Sequence, residues 1–135
     1  MAQAAPTSTG PYLCTATRLR VRGPRQLGAF LRVSAAAAKA ARNTPGNLRT
    51  RLLGMPPLLT FQSLSVWESR EAMLQFVKSP EHRAAMAQIP ELALRSRFVT
   101  FETQTPRVSW RRAGRMLRDP DAVWTPEGEY RRTPA

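Results

Sequence analysis

The sequence predicts an α+β subunit in which an antiparallel sheet carries its helices on one face. Three observations lead to this class. Four stretches alternate between apolar and polar residues, two regions repeat apolar residues at i, i+3 and i+4, and their order is strand, helix, strand, strand, helix, strand. That βαββαβ order is the split βαβ, or ferredoxin-like, arrangement. A chain of 135 residues is long enough for one such domain with a modest core.

The first half of the chain supplies one strand and one long helix. Residues 1–11 are rich in Ala, Pro, Ser, Thr and Gly without any period, so we expect a disordered lead-in before a domain that covers 12–104. The alternating run YLCTATRLRV at 12–21 predicts a half-buried strand. Residues 25–42 follow the helical pattern, and the Asn-Thr-Pro-Gly sequence at 43–46 predicts the end of that helix.

The second half supplies three strands and a helical region in two pieces. Residues 48–53 and 58–67 alternate and predict the second and third strands. Ser69 and Ser79 are each placed to cap a helix, and the second helix has proline at its first position, where a missing N–H costs nothing. Residues 92–101 predict the fourth strand.

One face of the predicted sheet has no helix to cover it. We expect Trp67 and its strand neighbours to make that face partly apolar, and large exposed apolar surfaces usually mark interfaces. The sequence therefore predicts a homodimer in which two sheets pack face to face. Residues 105–135 form a basic C-terminal arm rich in Pro and Arg, either an arm over the partner or a loose tail.

Composition narrows the possible partners and the setting. The net charge is +12, but the basic residues are spread along the chain, so nucleic-acid binding is the weaker interpretation and an anionic small ligand would profit equally. Cys14 is the single cysteine, which excludes an intrachain disulfide and a Cys-rich metal site, and we expect no metal. No apolar run approaches a membrane span, so we expect a soluble, cytoplasmic protein.

The central run SLSVWESREAMLQFVKSPEHRAAM resembles a segment of the antibiotic-biosynthesis-monooxygenase superfamily, also called dimeric α/β barrels. Within that superfamily the chain is most similar to spheroidene-monooxygenase-like proteins. The likeness covers roughly residues 12–101 and leaves the C-terminal arm unexplained. It implies the ferredoxin-like fold and several activities: cofactor-free oxygenation of phenolic polyketides, haem degradation, haem-dependent oxidation or dehydration, and cyclisation.

The same resemblance bears on a cofactor. Haem-degrading members share the Trp-Glu-Ser sequence that begins here at Trp67, but their axial histidine position falls on Met86, and this chain lacks their first-strand asparagine. These departures count against haem degradation and leave haem held by His82 as the alternative. We therefore expect that the protein uses no cofactor, and haem is the alternative.

The predicted site is a largely apolar cavity between sheet and helices that binds a hydrophobic or aromatic small molecule. We expect His82 to orient the substrate or move a proton, and Arg18 or Arg97 to stabilise oxyanion charge. The pocket lining is predicted as Trp67, Met73, Phe76, Met86 and Phe98, with Trp67 also counted as catalytic.

The predicted activity is monooxygenase-like oxidative tailoring of an aromatic or polyene secondary metabolite. Two alternatives from other classes stay open. A non-catalytic ligand-binding or stress-related dimer would have the same pocket without turnover. A nucleic-acid binder would need exposed aromatics beside arginines on an open sheet face.

Overall fold

The structure is a computed structural model that describes residues 11–132, so nearly all of the predicted lead-in at 1–11 lies outside the described residues. The strands are β1 (Tyr12–Val21), β2 (Asn47–Met55), β3 (Thr60–Trp67), β4 (Ala93–Thr103), β5 (Ala122–Thr125) and β6 (Gly128–Arg131). The helices are α1 (Pro24–Arg42), α2 (Arg70–Val77), α3 (Pro80–Leu92) and α4 (Trp110–Met116). None of the helices in the described part of the chain has the length and hydropathy of a membrane span.

The predicted fold class is confirmed. The sheet order is β2-β3-β1-β4-β5-β6, and β1 pairs antiparallel with both β3 and β4. The third strand begins later than predicted, because the segment Pro56–Leu58 forms a 3-10 turn. Leu59, which follows this turn, has a φ of +52°, which lies outside the range of a strand.

The two serine caps are also present. The Ser69 hydroxyl accepts a hydrogen bond from the backbone N–H of Ala72 at 3.1 Å, and the Ser79 hydroxyl accepts one from that of His82 at 3.2 Å. Gly46 has a φ of +91°, and a Cβ at that position would lie 2.5 Å from the Cβ of Ala72. Only glycine allows the turn before β2 to approach α2 so closely.

Helices α1, α2 and α3 cover one face of the sheet through two separate apolar clusters. The Trp67 cluster contains Leu13, Ala41, Trp67, Ala72 and Met73, with Phe76 packed against it. The Phe30 cluster contains Leu19, Val21, Phe30, Leu92 and Ala93, with Phe61 and Trp124 among the residues packed against it. The clusters lie at opposite ends of β1, so the middle of this face belongs to neither of them.

The opposite face of the sheet, called the outer face below, is covered in part by α4. Its cluster includes Cys14, Ala16, Leu64, Val66, Val99 and Phe101 from the strands and Val108, Ala113 and Leu117 from the α4 region. Burial raises the pKa of the Cys14 thiol to about 12, which makes it a poor nucleophile. The apolar half of the surface predicted for dimer contact is therefore covered by the chain itself.

Trp67 was predicted both for the uncovered face and for the pocket lining between sheet and helices, and the structure contradicts only the first position. Trp67 pairs in register with Leu13, and Leu13 packs against Ala41 of α1. Because side chains alternate strictly along a strand, residues that pair across strands point to the same face. Trp67 is 1% exposed and faces the helices.

The C-terminal region continues the domain beyond β4. Its hairpin, β5 and β6, extends the sheet at the β4 edge. Asp121 holds the junction, because its backbone N–H donates to the carbonyl of Phe98 at 2.8 Å and its carboxylate accepts from the N–H of Thr100 at 2.8 Å.

Candidate active site between the sheet and the helices

The middle of the helix-facing side carries four hydroxyl side chains that the helices leave partly exposed; we call this surface the floor, and the space between it and the helices the cleft. Thr15 and Thr17 of β1 pair in register with Ser65 and Ser63 of β3, and all four are partly exposed. Their strand neighbours toward the outer face, such as Ala16, are buried. These side chains are too small to fill the space that the large side chains of the Trp67 and Phe30 clusters fill at either end of β1. The space between sheet and helices therefore stays accessible above them.

The floor is held in place from its β2 side. The amide Nδ2 of Asn47 donates to the Thr50 hydroxyl at 2.8 Å, and the Thr50 hydroxyl lies 3.1 Å from that of Ser65. Thr50 is 8% exposed, so this network is largely shielded from water. This network holds the Ser65 oxygen in place beside β2, whichever of the two hydroxyls donates.

Trp67 lies buried at one end of the floor. Its indole stacks on Phe76 with ring centroids 5.6 Å apart and an angle of 23° between the planes. The indole Nε1 is buried, and no hydrogen-bond acceptor reaches it among residues 11–132. A buried donor without an acceptor costs free energy, and such groups are uncommon in folded proteins. This N–H therefore lacks an acceptor within the described chain, and a ligand would reach it only by displacing the side chains that cover it.

His82 lies behind Phe76. The two rings meet edge to face with centroids 4.9 Å apart. Nδ1 of His82 lies 3.1 Å from the Val77 carbonyl, which only accepts, so Nδ1 carries the proton and Nε2 keeps its lone pair. Burial lowers the pKa of the ring below its ordinary 6.5, although the hydrogen bond to Val77 acts in the opposite direction. The ring is therefore neutral at pH 7.

The structure brings some of the predicted site residues together and separates others. Met73 is buried in the Trp67 cluster, and Phe98 lies half-buried on the floor opposite Thr17. Met86 is 49% exposed on α3. Arg18 and Arg97 pair with each other on the outer face, so the sheet separates them from the cleft.

The floor hydroxyls were not among the predicted site residues. The signal for them was present, because Thr15, Thr17, Ser63 and Ser65 occupy positions whose strand neighbours on the same face are Leu13, Leu19, Phe61 and Trp67. Polar residues at core-facing positions of central strands are unusual unless they serve a partner or a ligand.

The cofactor alternatives can be tested against these contacts. Phe76 fills the space between Trp67 and the His82 ring, so haem could reach His82 from the cleft only by displacing Phe76. These residues do not fit a haem in the cleft. In the described part of the chain, no group of three or more His, Cys, Asp or Glu side chains is placed to hold a metal ion.

Comparison with known proteins gives matches at the level of family and fold. The model of the antibiotic biosynthesis monooxygenase family matches residues 13–88, which is more than half of the chain. Among curated proteins, none is significantly similar in sequence.

Several solved structures share the fold. A variant of SnoaB, a cofactor-independent oxygenase from Streptomyces nogalater, is 20% identical with a TM-score of 0.60, and the match covers 75% of this chain and 98% of that chain. Rv0793 from Mycobacterium tuberculosis is 19% identical with a TM-score of 0.62, and the match covers 73% of this chain and 98% of that chain. NE2512 from Nitrosomonas europaea, a protein of unknown function, is 19% identical with a TM-score of 0.61 and covers 73% and 94%, respectively.

Proposed function

We propose that this chain, which belongs to the antibiotic biosynthesis monooxygenase family, is an oxidative tailoring enzyme. Its cleft would bind an aromatic or polyene secondary metabolite. We propose further that the reaction needs no bound cofactor. SnoaB, which shares the fold, is a cofactor-independent oxygenase, and this supports the choice among the activities of the superfamily.

One observation carries the proposal: an accessible floor of four hydroxyls lies beside a buried indole N–H that has no acceptor in the described chain. A flat phenolic molecule matches both features. Its rings would pack against Trp67 and Phe98, and its oxygens would accept or donate at Ser63 and Thr17. The Trp67 N–H would donate to a substrate oxygen that gains negative charge during the reaction, where a preorganised donor contributes most.

The chemistry that suits such a site uses the substrate as its own reductant. An anthrone-type substrate that loses a proton becomes an electron-rich anion that can react with O2. The ring CH2 becomes C=O, one oxygen atom enters the product, and the other leaves as water, so no external electron donor is required. The chain has to bind the phenol, favour its anion and exclude water.

His82 fits a positioning role in this proposal. Its Nδ1–H ties the first turn of α3 to the end of α2 through Val77, and its ring supports Phe76, which in turn stacks on Trp67. Direct proton transfer by His82 stays a prediction, because Phe76 lies between that ring and Trp67. The oxyanion role that the sequence suggested for Arg18 and Arg97 does not suit a substrate in the cleft, because the sheet separates both side chains from it.

The proposed enzyme is cytoplasmic and forms a homodimer. Contact between apolar surfaces is no longer the expected driving force for dimerisation. The uncovered part of the outer face carries arginines, so two such faces would repel each other. We therefore expect a face-to-face homodimer only where salt or an anion screens these charges. Light scattering after size exclusion, at low and high salt, measures this directly.

Oxygen uptake tests the proposed activity. We expect the purified, chelator-treated chain to consume O2 with 1,8-dihydroxyanthrone and to form the quinone in equimolar amount. The double substitution Ser63→Ala with Ser65→Ala should raise KM and lower kcat, since it removes the central hydroxyls. An unchanged rate in that variant, or no uptake with any aromatic or polyene substrate of a broad panel, would contradict the proposal.

A further inference from the structure

The outer face of the sheet carries four arginines in two opposed pairs. Arg18 lies opposite Arg97, and Arg20 lies opposite Arg95, on the paired strands β1 and β4. All four are exposed, next to the part of the face that α4 covers. We call these four residues the arginine cluster.

The cluster is unfavourable for the chain alone. The ion pairs formed within residues 11–132 join Arg131 to Glu129 and Arg132 to Asp119, so no carboxylate neutralises the cluster. Like charges directly opposite each other on paired strands destabilise a sheet. A ligand that carries the opposite charge would remove this repulsion.

The cluster surrounds a concave surface. A cavity of about 280 Å³ is lined by the four arginines and Thr60. A second cavity of about 310 Å³ shares Arg18 and Arg97 with the first and adds arginines from the α4 region, namely Arg111, Arg115 and Arg118. No acidic side chain lines either cavity. The charge is therefore concentrated around one depression.

The spacing of the strands sets the spacing of the charges at their base. Directly opposed residues on antiparallel strands have Cβ atoms about 5 Å apart, and alternate residues along one strand are about 7 Å apart. Neighbouring phosphates of an oligophosphate are close enough to be bound together by such a group. Guanidinium groups bind phosphate oxygens in a bidentate manner, which suits Arg better than Lys.

We propose that the arginine cluster is a binding site for a compact oligophosphate, a molecule with two or more adjacent phosphate groups. A single-stranded nucleic acid fits less well, because successive bases stack on several aromatic side chains along a groove, whereas Trp110 is the one aromatic residue of the described chain that lines these two cavities. The site is separate from the proposed oxygenation cleft, because the sheet lies between them. Its test therefore does not depend on the proposed function.

Calorimetric titration with tripolyphosphate tests the proposal. In low salt, we expect tripolyphosphate to bind the chain and raise its melting temperature, and orthophosphate to bind far more weakly. The double substitution Arg95→Gln with Arg97→Gln should weaken tripolyphosphate binding about tenfold or more, because each charge-assisted hydrogen bond contributes strongly.

The matched control removes the same charge elsewhere. Arg32 on α1 and Arg83 on α3 are exposed and belong to the helix layer, so Arg32→Gln with Arg83→Gln should change the affinity less than about twofold. Both double variants alter exposed side chains, and their melting temperatures without ligand verify that they fold.

Several outcomes would overturn the proposal. An equal loss of affinity in both double variants would mean that net charge alone attracts the ligand. Citrate binding as tightly as tripolyphosphate would identify clustered carboxylates as the ligand instead. A short single-stranded oligonucleotide binding more tightly than tripolyphosphate would assign the surface to nucleic acid, and a dimer that excludes tripolyphosphate would assign it to a second copy.

Discussion

The two faces of the sheet differ in chemistry although the same strands build them. On β1, Thr15 and Thr17 face the helices and form the cleft floor, whereas Arg18 and Arg20 face outward among like charges. The helix-facing side offers hydroxyls between two apolar clusters, and the outer face offers an apolar half under α4 and a charged half. A single alternating strand thus serves two surfaces that suit ligands of opposite character.

This difference changes how the predicted residues are grouped. Arginines and cleft residues that are close in sequence need not act together. One step along a strand moves a side chain to the other face of the sheet. Trp67 therefore belongs with the hydroxyl floor, and Arg97 belongs with Arg18.

The largest effect on stability should come from the apolar half of the outer face. Leu117 is 3% exposed and packs in the cluster under α4, whereas Leu31 on α1 is 48% exposed. Leu117→Ala should lower the free energy of unfolding by about 2–4 kcal/mol through loss of burial and an unfilled cavity. Leu31→Ala should cost less than about 1 kcal/mol. Urea unfolding measures both, and equal costs would show that α4 is not packed on this face.

A smaller, pH-dependent effect should come from His82 on the helix-facing side. Because its pKa is lowered in the folded chain, the unfolded chain takes up a proton first as the pH falls below the ordinary 6.5. The wild type should therefore lose stability relative to His82→Asn as the pH falls through 6.5, because the asparagine amide can keep the bond to Val77 but does not titrate. If the stabilities of the two proteins changed with pH in parallel, the pKa of His82 would not be lowered in the folded chain.

The smallest effect should come from one charge of the arginine cluster. Arg95→Gln removes a like charge opposite Arg20 and should stabilise the ligand-free chain by roughly 0.2–1 kcal/mol at low salt. Added salt should erase the gain, since exposed charges are screened. Arg32→Gln serves as the control, because Arg32 has no opposed arginine on a paired strand. A gain of equal size in the control would show that only the net charge of +12 matters.

Much of the fold could be predicted because its signals are local. Alternation along β1 and β4 assigned the side chains to two sets, and the caps at Ser69 and Ser79 marked the starts of α2 and α3. Which set faces the helices depends on long-range packing, so the sequence alone allowed Trp67 on either face.

The C-terminal region and the cleft were harder to predict. Helix α4 has only seven residues, and its pattern does not say which face of the sheet will receive Val108, Ala113 and Leu117. The cleft is the space that the small side chains of the floor leave unfilled. No single residue in the sequence indicates such a space. The unpartnered N–H of Trp67 is visible only once the surrounding chain is in place.

The most direct test of the central claim compares Trp67→Phe with Trp110→Phe in the oxygen-uptake assay. The first substitution removes the buried N–H of the cleft while an aromatic ring remains, and the second makes the same change on the outer face, where Trp110 contacts Arg51. We expect Trp67→Phe to lower kcat about a hundredfold, as for the loss of one donor to a developing oxyanion, and Trp110→Phe to leave it nearly unchanged. Equal rates for the two folded variants would contradict this expectation.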